Sequence, residues 1–254
     1  MLVQAPASGA LEGFARYYGF SETAAGPVRR REGPGVDIIL LVSLGNEWRI
    51  DGERITSFAA GLYDRQVTTQ HDGWSLGLQI DLAPPLAYAV LGVPLHTLAQ
   101  QVVPLEDVLE DRELPERLHD AGGWRERFGM LDRELQRRLA SARAASPEVS
   151  WAWRELAASQ GRRRIGALAA ELGWSRKRIA ARFREQIGMT PKAFARLARF
   201  DHARSVATAA ECPEWGRIAV ECGYYDQSHL INEFRAVTGV TPETFFQDTV
   251  RAAA

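Results

Sequence analysis

The chain has 254 residues, of which 46% are hydrophobic and 25% charged, and a formal net charge of −1; that is the make-up of a globular protein with room for one large or two ordinary domains, each able to bury a core. Two cysteines, Cys212 and Cys222, are too few for a disulfide framework and point to a reducing cytoplasm. No apolar run approaches the roughly 20 residues of a membrane span, and the start "MLVQAPASGALEGFARYYG" lacks a basic stretch followed by an apolar one, so neither a membrane anchor nor a secretion signal is expected.

Along the chain, the first periodic region reads as short strands over about 36–81: "VDIILLVSLG", "EWRI", "SFAAGLY", "RQVTTQ" and "WSLGLQID". They are rich in β-branched and aromatic residues and are broken by Gly, Asn and Asp, with Asp51-Gly52 as a tight-turn signal. From "DLAPPLAYAVLG" the pattern turns helical, with short helices expected at 85–91, 105–110 and 114–120. A longer helix is expected from about Trp124 to Ala142, where Phe128, Leu131, Leu135 and Leu139 keep the spacing of a buried stripe. The segment "ASPEVS" (145–150) reads as a hinge or linker, and from Trp151 onward only helices and short turns are expected.

The near-neutral total hides a separation of charge. Residues 1–149 carry 15 basic and 21 acidic side chains, whereas 151–204 carry 13 and 4, and 205–254 carry 3 and 7. A basic segment inside a neutral protein suits a polyanion, although a solvated helical face would look the same.

The same C-terminal region contains an internal repeat. "LAAELGWSRKRIAARFREQIGMTP" (168–191) resembles "IAVECGYYDQSHLINEFRAVTGVTP" (218–242). Ala169, Glu171 and Gly173 match Ala219, Glu221 and Gly223 at an offset of 50, and Phe183, Arg184, Gly188, Thr190 and Pro191 match Phe234, Arg235, Gly239, Thr241 and Pro242 at an offset of 51. One residue is therefore inserted in the turn of the second copy. Each copy reads as a short helix ending at Gly173 or Gly223, and a second helix capped by Ser175 or Asp226. The second helices are anchored by Ile179 and Phe183, or by Leu230 and Phe234, and closed by Gly188 or Gly239; Thr-Pro then starts the next helix. Helix, short turn and second helix make a helix-turn-helix, here at about 165–188 and 216–239.

These residues carry a family resemblance. Ile218-Ala219, Cys222-Gly223-Tyr224, Gln227-Ser228-His229, Phe234-Arg235 and Gly239-x-Thr241-Pro242 resemble the signature of the AraC/XylS family of bacterial transcription regulators, and the likeness covers about 151–251. It implies a DNA-binding domain of two helix-turn-helix subdomains bridged by a long helix, here about 191–210. It also implies an N-terminal effector-sensing or dimerisation domain, a role for residues 1–145. The expected fold is thus α+β: a small N-terminal β-rich domain, cupin-like or a partial barrel, with helices, then an all-α domain of two helix-turn-helix subdomains. With about 45 residues of strand, a full ligand barrel is not expected. Some relatives transfer methyl groups to an N-terminal cysteine, and residues 1–211 contain none.

Helix geometry then selects candidate contacts. With Ile179 and Phe183 inward, a 100° step exposes Lys177, Ala181 and Arg184, flanked by Arg178 and Ala180, with Arg176 in the first turn. In the second copy it exposes Ser228, Asn232 and Arg235, flanked by His229, with Gln227 in the first turn. Arg and Lys suit guanine edges and phosphates, and Asn and Gln suit adenine edges. His229 is open to a capping role, Trp174 and Tyr224 to packing or base stacking, and Arg162-Arg163-Arg164 to solvation or phosphate contact. Cys222 reads as a small buried residue under the turn. Trp48, Tyr63, Trp74 and Tyr88 are candidates to line an effector pocket, with core packing as the competing role.

Catalysis has little support in the sequence. Of five histidines only His71 falls in the strand region, so no His pair at metal spacing exists there, and no phosphate loop, G-x-S-x-G elbow or dinucleotide fingerprint appears. No metal and no cofactor are expected. Double-stranded DNA is the expected partner, in the cytoplasm; a small-molecule effector, RNA polymerase and a second copy of the chain are further candidates. Two other classes remain open at this point: a protein-interaction module whose stripe at 124–142 pairs with a copy of itself, and an enzyme fused to a DNA-binding tail.

Overall fold

The computed structural model describes residues 1–210 and 212–252. Ten strands form two antiparallel sheets. They are β1 (Leu2–Pro6), β2 (Ala15–Thr23), β3 (Val28–Glu32), β4 (Ile38–Ser43), β5 (Trp48–Ile50), β6 (Glu53–Ile55), β7 (Phe58–Ala60), β8 (Val67–His71), β9 (Trp74–Leu82) and β10 (Val102–Pro104). One sheet has the order β1-β2-β9-β4-β7-β10 and the other β3-β8-β5-β6. The strands thus begin at Leu2 rather than near residue 36, and the β region is about twice as long as its hydrophobic pattern announces. The missed strands β1 and β3 are sheet edges, and β3, "VRRRE", carries the charge with which edges avoid unwanted pairing. The expected turn at Asp51-Gly52 is present: both residues have positive φ (48° and 95°) between β5 and β6.

The longest ladder places Ala15 opposite Leu82, Tyr17 opposite Ile80 and Gly19 opposite Leu78, so one face of β2 and β9 enters the core. Helix α1 (Pro84–Leu91) is buried throughout, α2 (Leu114–Asp120) follows, and α3 (Trp124–Ala140) packs across β2. A Cβ on Gly19 would overlap the Trp124 indole, so glycine makes room for that ring. Phe128 stacks on Tyr17 at 6.1 Å, and the Tyr17 hydroxyl donates to Asp132 Oδ1 at 2.9 Å. Phe128, Leu131 and Leu135 are therefore spent on the chain's own core, with Leu139 against it, and this stripe is not a free surface for a second copy.

The segment 145–150 is not a linker. Pro147 begins α4 (Pro147–Ala158), Ser146 Oγ caps it by accepting from Val149 N at 3.4 Å, and the Ser146 N–H donates to the buried Gln186 side chain at 2.8 Å. The serine-proline pair that resembles a hinge is an N-cap followed by an N1 proline. The remaining helices are α5 (Ile165–Glu171), α6 (Arg176–Ile187), α7 (Pro191–Ala209), α8 (Trp215–Glu221), α9 (Gln227–Thr238) and α10 (Pro242–Ala252).

Two main hydrophobic cores result. One runs from the sheets through α1, Leu95 and Leu98 into α4, α5, α6 and the first half of α7, as far as Ala198. The other begins at Phe200 and holds Trp215, Leu230, Phe234 and Phe245. The first helix-turn-helix unit thus shares its core with the N-terminal domain, since α6 packs on α1 and on the turn at Leu95–Thr97. The second unit has a core of its own. Cys222 lies fully inside it, and burial pushes its thiol up to about 11, while Cys212 is exposed. A thiol-reactive chromogenic disulfide at pH 8 should therefore titrate one group in the folded protein and the second only after denaturation. Rapid modification of both would mean that the second core opens readily.

Candidate nucleic-acid interface

The two copies of the repeat fold alike. Gly173 (φ +65°) and Gly223 (φ +76°) turn the chain in the left-handed conformation that favours glycine. Trp174 N–H then reaches back to Ala169 O, and Tyr224 N–H to Ala219 O, both at 2.9 Å. Ser175 Oγ accepts from Arg178 N at 3.2 Å, and Asp226 Oδ1 from His229 N at 2.7 Å, so each second helix starts with a side-chain cap contributing about 1 kcal/mol. Ile179 and Phe183 bury one face of α6, and Leu230 and Phe234 one face of α9.

What these anchors leave outside is the expected set. Arg176, Lys177, Arg178 and Arg184 are exposed on α6, and Gln227, Ser228, His229, Asn232 and Arg235 on α9. Several are also held. Arg178 lies 4.5 Å from the Trp174 ring centroid, half-buried packing that leaves that ring little scope for base stacking. The Arg176 guanidinium lies over Gly166, and the Gln227 amide lies over Gly216, the corresponding residue of the second copy. His229 Nδ1 accepts from Tyr225 N at 3.3 Å, which puts its proton on Nε2 as an outward donor. It thus takes both roles left open by its sequence position: it completes the cap and keeps a polar group at the surface. Of the three consecutive arginines, Arg163 bridges Glu155 (2.6 Å) and Glu171 and braces α4 against α5, while Arg162 donates to Ser159 O at 3.1 Å and Arg164 is exposed.

Two features escaped the sequence pattern. Tyr225 is 92% exposed at the start of α9, and the change of offset marks it as the inserted residue. Glu233, in the middle of α9, is buried and charged where the periodicity leaves only a flank.

The four aromatic candidates of the N-terminal domain do not gather in one place. Tyr88 belongs to the main core and Trp48 to a smaller cluster with Leu41, Ile50 and Phe58. Tyr63 is buried under Arg65, and Trp74 is 45% exposed against Gly45. Around Trp48 the structure adds polar groups. His71 is 5.1 Å from the Trp48 ring, its Nε2 is 3.0 Å from Glu22 Oε2, and Arg30 pairs with Glu22 and holds that carboxyl below the usual range. Trp48 Nε1, His71 Nδ1 and Ser75 Oγ are buried with no hydrogen-bond partner among the described residues. No group of His, Cys, Asp and Glu among the described residues is arranged to hold a metal, and no helix there is long and apolar enough to cross a membrane.

Residues 168–248 match the family model of a helix-turn-helix domain. An apo ToxT variant from Vibrio cholerae is similar over 95% of this chain and 99% of that chain, with 12% identity and a TM-score of 0.50, which shows a shared fold. The C-terminal domain of AraT, a response regulator from Geobacillus stearothermophilus, has 22% identity over 41% of this chain and 87% of its own, with a TM-score of 0.38. The AraC-like transcriptional activator CuxR has 14% identity, coverages of 83% and 87%, and a TM-score of 0.32. No curated protein matches. The helix-turn-helix match spans both capped, glycine-turned units, so the C-terminal part of the chain is a helix-turn-helix domain.

Proposed function

We propose that the protein is a sequence-specific regulator of transcription in the cytoplasm, in which α6 and α9 read successive major-groove turns of double-stranded DNA. The observation that carries this is the pairing of two capped helices, each with one face buried and one row of polar side chains exposed. Their chemistry is complementary. The first presents Arg176, Lys177, Arg178 and Arg184, suited to phosphates and guanine edges; the second presents Gln227, Ser228, His229, Asn232 and Arg235, suited to base edges.

The N-terminal domain takes the role of effector sensor. ToxT has been solved with an unsaturated fatty acid bound, so small molecules are the class to test first. The unpartnered polar atoms of Trp48, His71 and Ser75 beside the Glu22–Arg30 pair favour a ligand with hydrogen-bonding groups there. Tyr63, Trp74 and Tyr88 lie apart from that cluster and serve the fold. RNA polymerase is the natural further partner of such a regulator. Pairing with a second copy would have to use a surface other than the buried stripe of α3.

The test is selection of binding sites from a random duplex pool by the full-length protein, followed by footprinting. The expected result is a bipartite site whose halves lie one helical turn apart, roughly 34 Å. Recovery of no enriched sequence would overturn the proposal.

A further inference from the structure

We infer that Glu233 is a positioning residue: by tying α9 to the bridging helix α7 at the seam between the two cores, it sets the spacing of half-sites that the protein accepts. This rests on the reading of α6 and α9 as DNA-reading helices.

Glu233 is 8% exposed, and a buried carboxylate is costly unless it is paired. Its partners come from two segments. The Tyr224 hydroxyl, in the turn before α9, donates to Oε1 at 3.0 Å. Arg196 Nε and Arg199 Nη2, both on α7, lie 3.4 and 3.8 Å from Oε2. Arg199 reaches further: its Nη1 donates to Gly161 O at 3.1 Å, in the turn before the first unit, and its guanidinium lies 5.9 Å from the Tyr224 ring. Burial and the Glu233 charge raise the Tyr224 phenol, so it stays a donor. A polar chain thus runs from the turn before the first unit through α7 to the middle of α9, one residue from Asn232.

Two observations make this more than local packing. The first is where it sits. The core shared with the N-terminal domain ends at Ala198 and the second core begins at Phe200, so Arg199 occupies the boundary. No single apolar core sets the angle between the units; α7 and individual contacts do, among them this chain, the Gln66 N–H donating to Val237 O at 2.8 Å, and Arg162 lying against Gly223. The second is that the first unit lacks it. The residue matching Glu233 is Arg182, exposed and paired with Glu185 of its own helix, and the residue matching Tyr224 is Trp174, covered by Arg178 of its own helix. A helix-turn-helix therefore does not need the clamp in order to fold. Buried ion pairs contribute little net stability but can select one geometry, which is the role assigned here.

The test uses full-length protein and the selected bipartite site, with base pairs inserted or removed between its halves. Each base pair turns one half by roughly 34° and moves it about 3.4 Å. The wild type should lose tenfold or more in affinity per base pair. Glu233→Gln should bind the optimal site within fivefold of wild type, while the penalty for one base pair falls to threefold or less and base preference within each half is unchanged. Because Glu233→Gln leaves the half-buried Arg199 without its charge partner, the double variant Glu233→Gln/Arg199→Met removes the pair together and is read if the single variant fails to fold. Val237→Ala, a destabilised core variant outside the clamp, should keep the sharp spacing profile. A sharp profile in both clamp variants, or a flat one in Val237→Ala, overturns the inference and leaves the DNA-reading proposal standing. Failure of wild type to select any bipartite site overturns both.

Discussion

Replacing Arg176, Lys177 and Arg178 by glutamine will weaken binding to every DNA sequence, flatten its dependence on salt, and leave the free protein as stable as before or more so. The three occupy the first turn of α6, which contains no acidic residue. That is the wrong end for cations. A helix N-terminus carries partial positive charge, and each cation there costs roughly 0.3–1 kcal/mol. The counterpart turn of α9 starts with Gln227, Ser228 and His229 and bears no such load. What the three cations cost the free fold is repaid when phosphates approach. Each phosphate contact contributes about 0.9 to the slope of log affinity against log salt, so the variant should lose up to about 2.7 of that slope. The loss of the Arg178–Trp174 contact takes back about 0.5–1 kcal/mol, so the stability gain will be modest. Alanine at Gln227, Ser228 and Asn232 should instead relax sequence preference, with a smaller loss on random DNA. Titrations of both variants on selected and random duplexes, at several salt concentrations, measure the difference. A larger loss on random DNA from the second set would refute this division of labour.

The second large effect concerns the two cores. Phe183→Ala and Phe234→Ala remove equivalent anchors, each fully buried, and each should cost about 3–5 kcal/mol. The consequences should spread differently. Phe234 packs with Phe200, Trp215 and Phe245 inside the second core, so its loss should accelerate hydrogen exchange from α8 onward while α1 to α6 stay protected. Phe183 packs on Phe194 within the core continuous with α1 and Leu95, so its loss should loosen the N-terminal domain as well. Peptide-resolved exchange distinguishes these outcomes. Equal spreading from both sites would mean that the seam at Arg199 is no boundary.

The repeat was the most legible part of the chain because every layer of it agrees: turn glycines, caps, anchors and closing glycines recur at two nearly constant offsets. The outward faces followed from helical geometry alone. The N-terminal domain was harder. β1 and β3 are edge strands whose exposure and charge erase the apolar pattern, and β2 alternates buried and exposed residues but carries a glycine where Trp124 packs. Ser146-Pro147 looks the same whether it starts a helix or opens a linker, and only the bond to Gln186, 40 positions away, distinguishes them. Glu233 and the cluster around His71 depend on partners distant in sequence, which periodicity does not reach.

The boundary between Ala198 and Phe200 also says how this protein can be taken apart and recombined. Residues from Phe200 onward form a cassette that brings its own packing, so exchanging it for the same portion of a relative should yield a folded hybrid with a new half of the operator, provided Arg199 and Glu233 are kept as a matched pair and the contacts of Val237 with Gln66 and of Phe245 with Gly33 are preserved. The first reading unit cannot be traded in this way. Ile187, Met189 and Phe194 share their core with Leu95 and Leu98 of the N-terminal domain, and a donor unit would have to arrive together with the domain that it was fitted to.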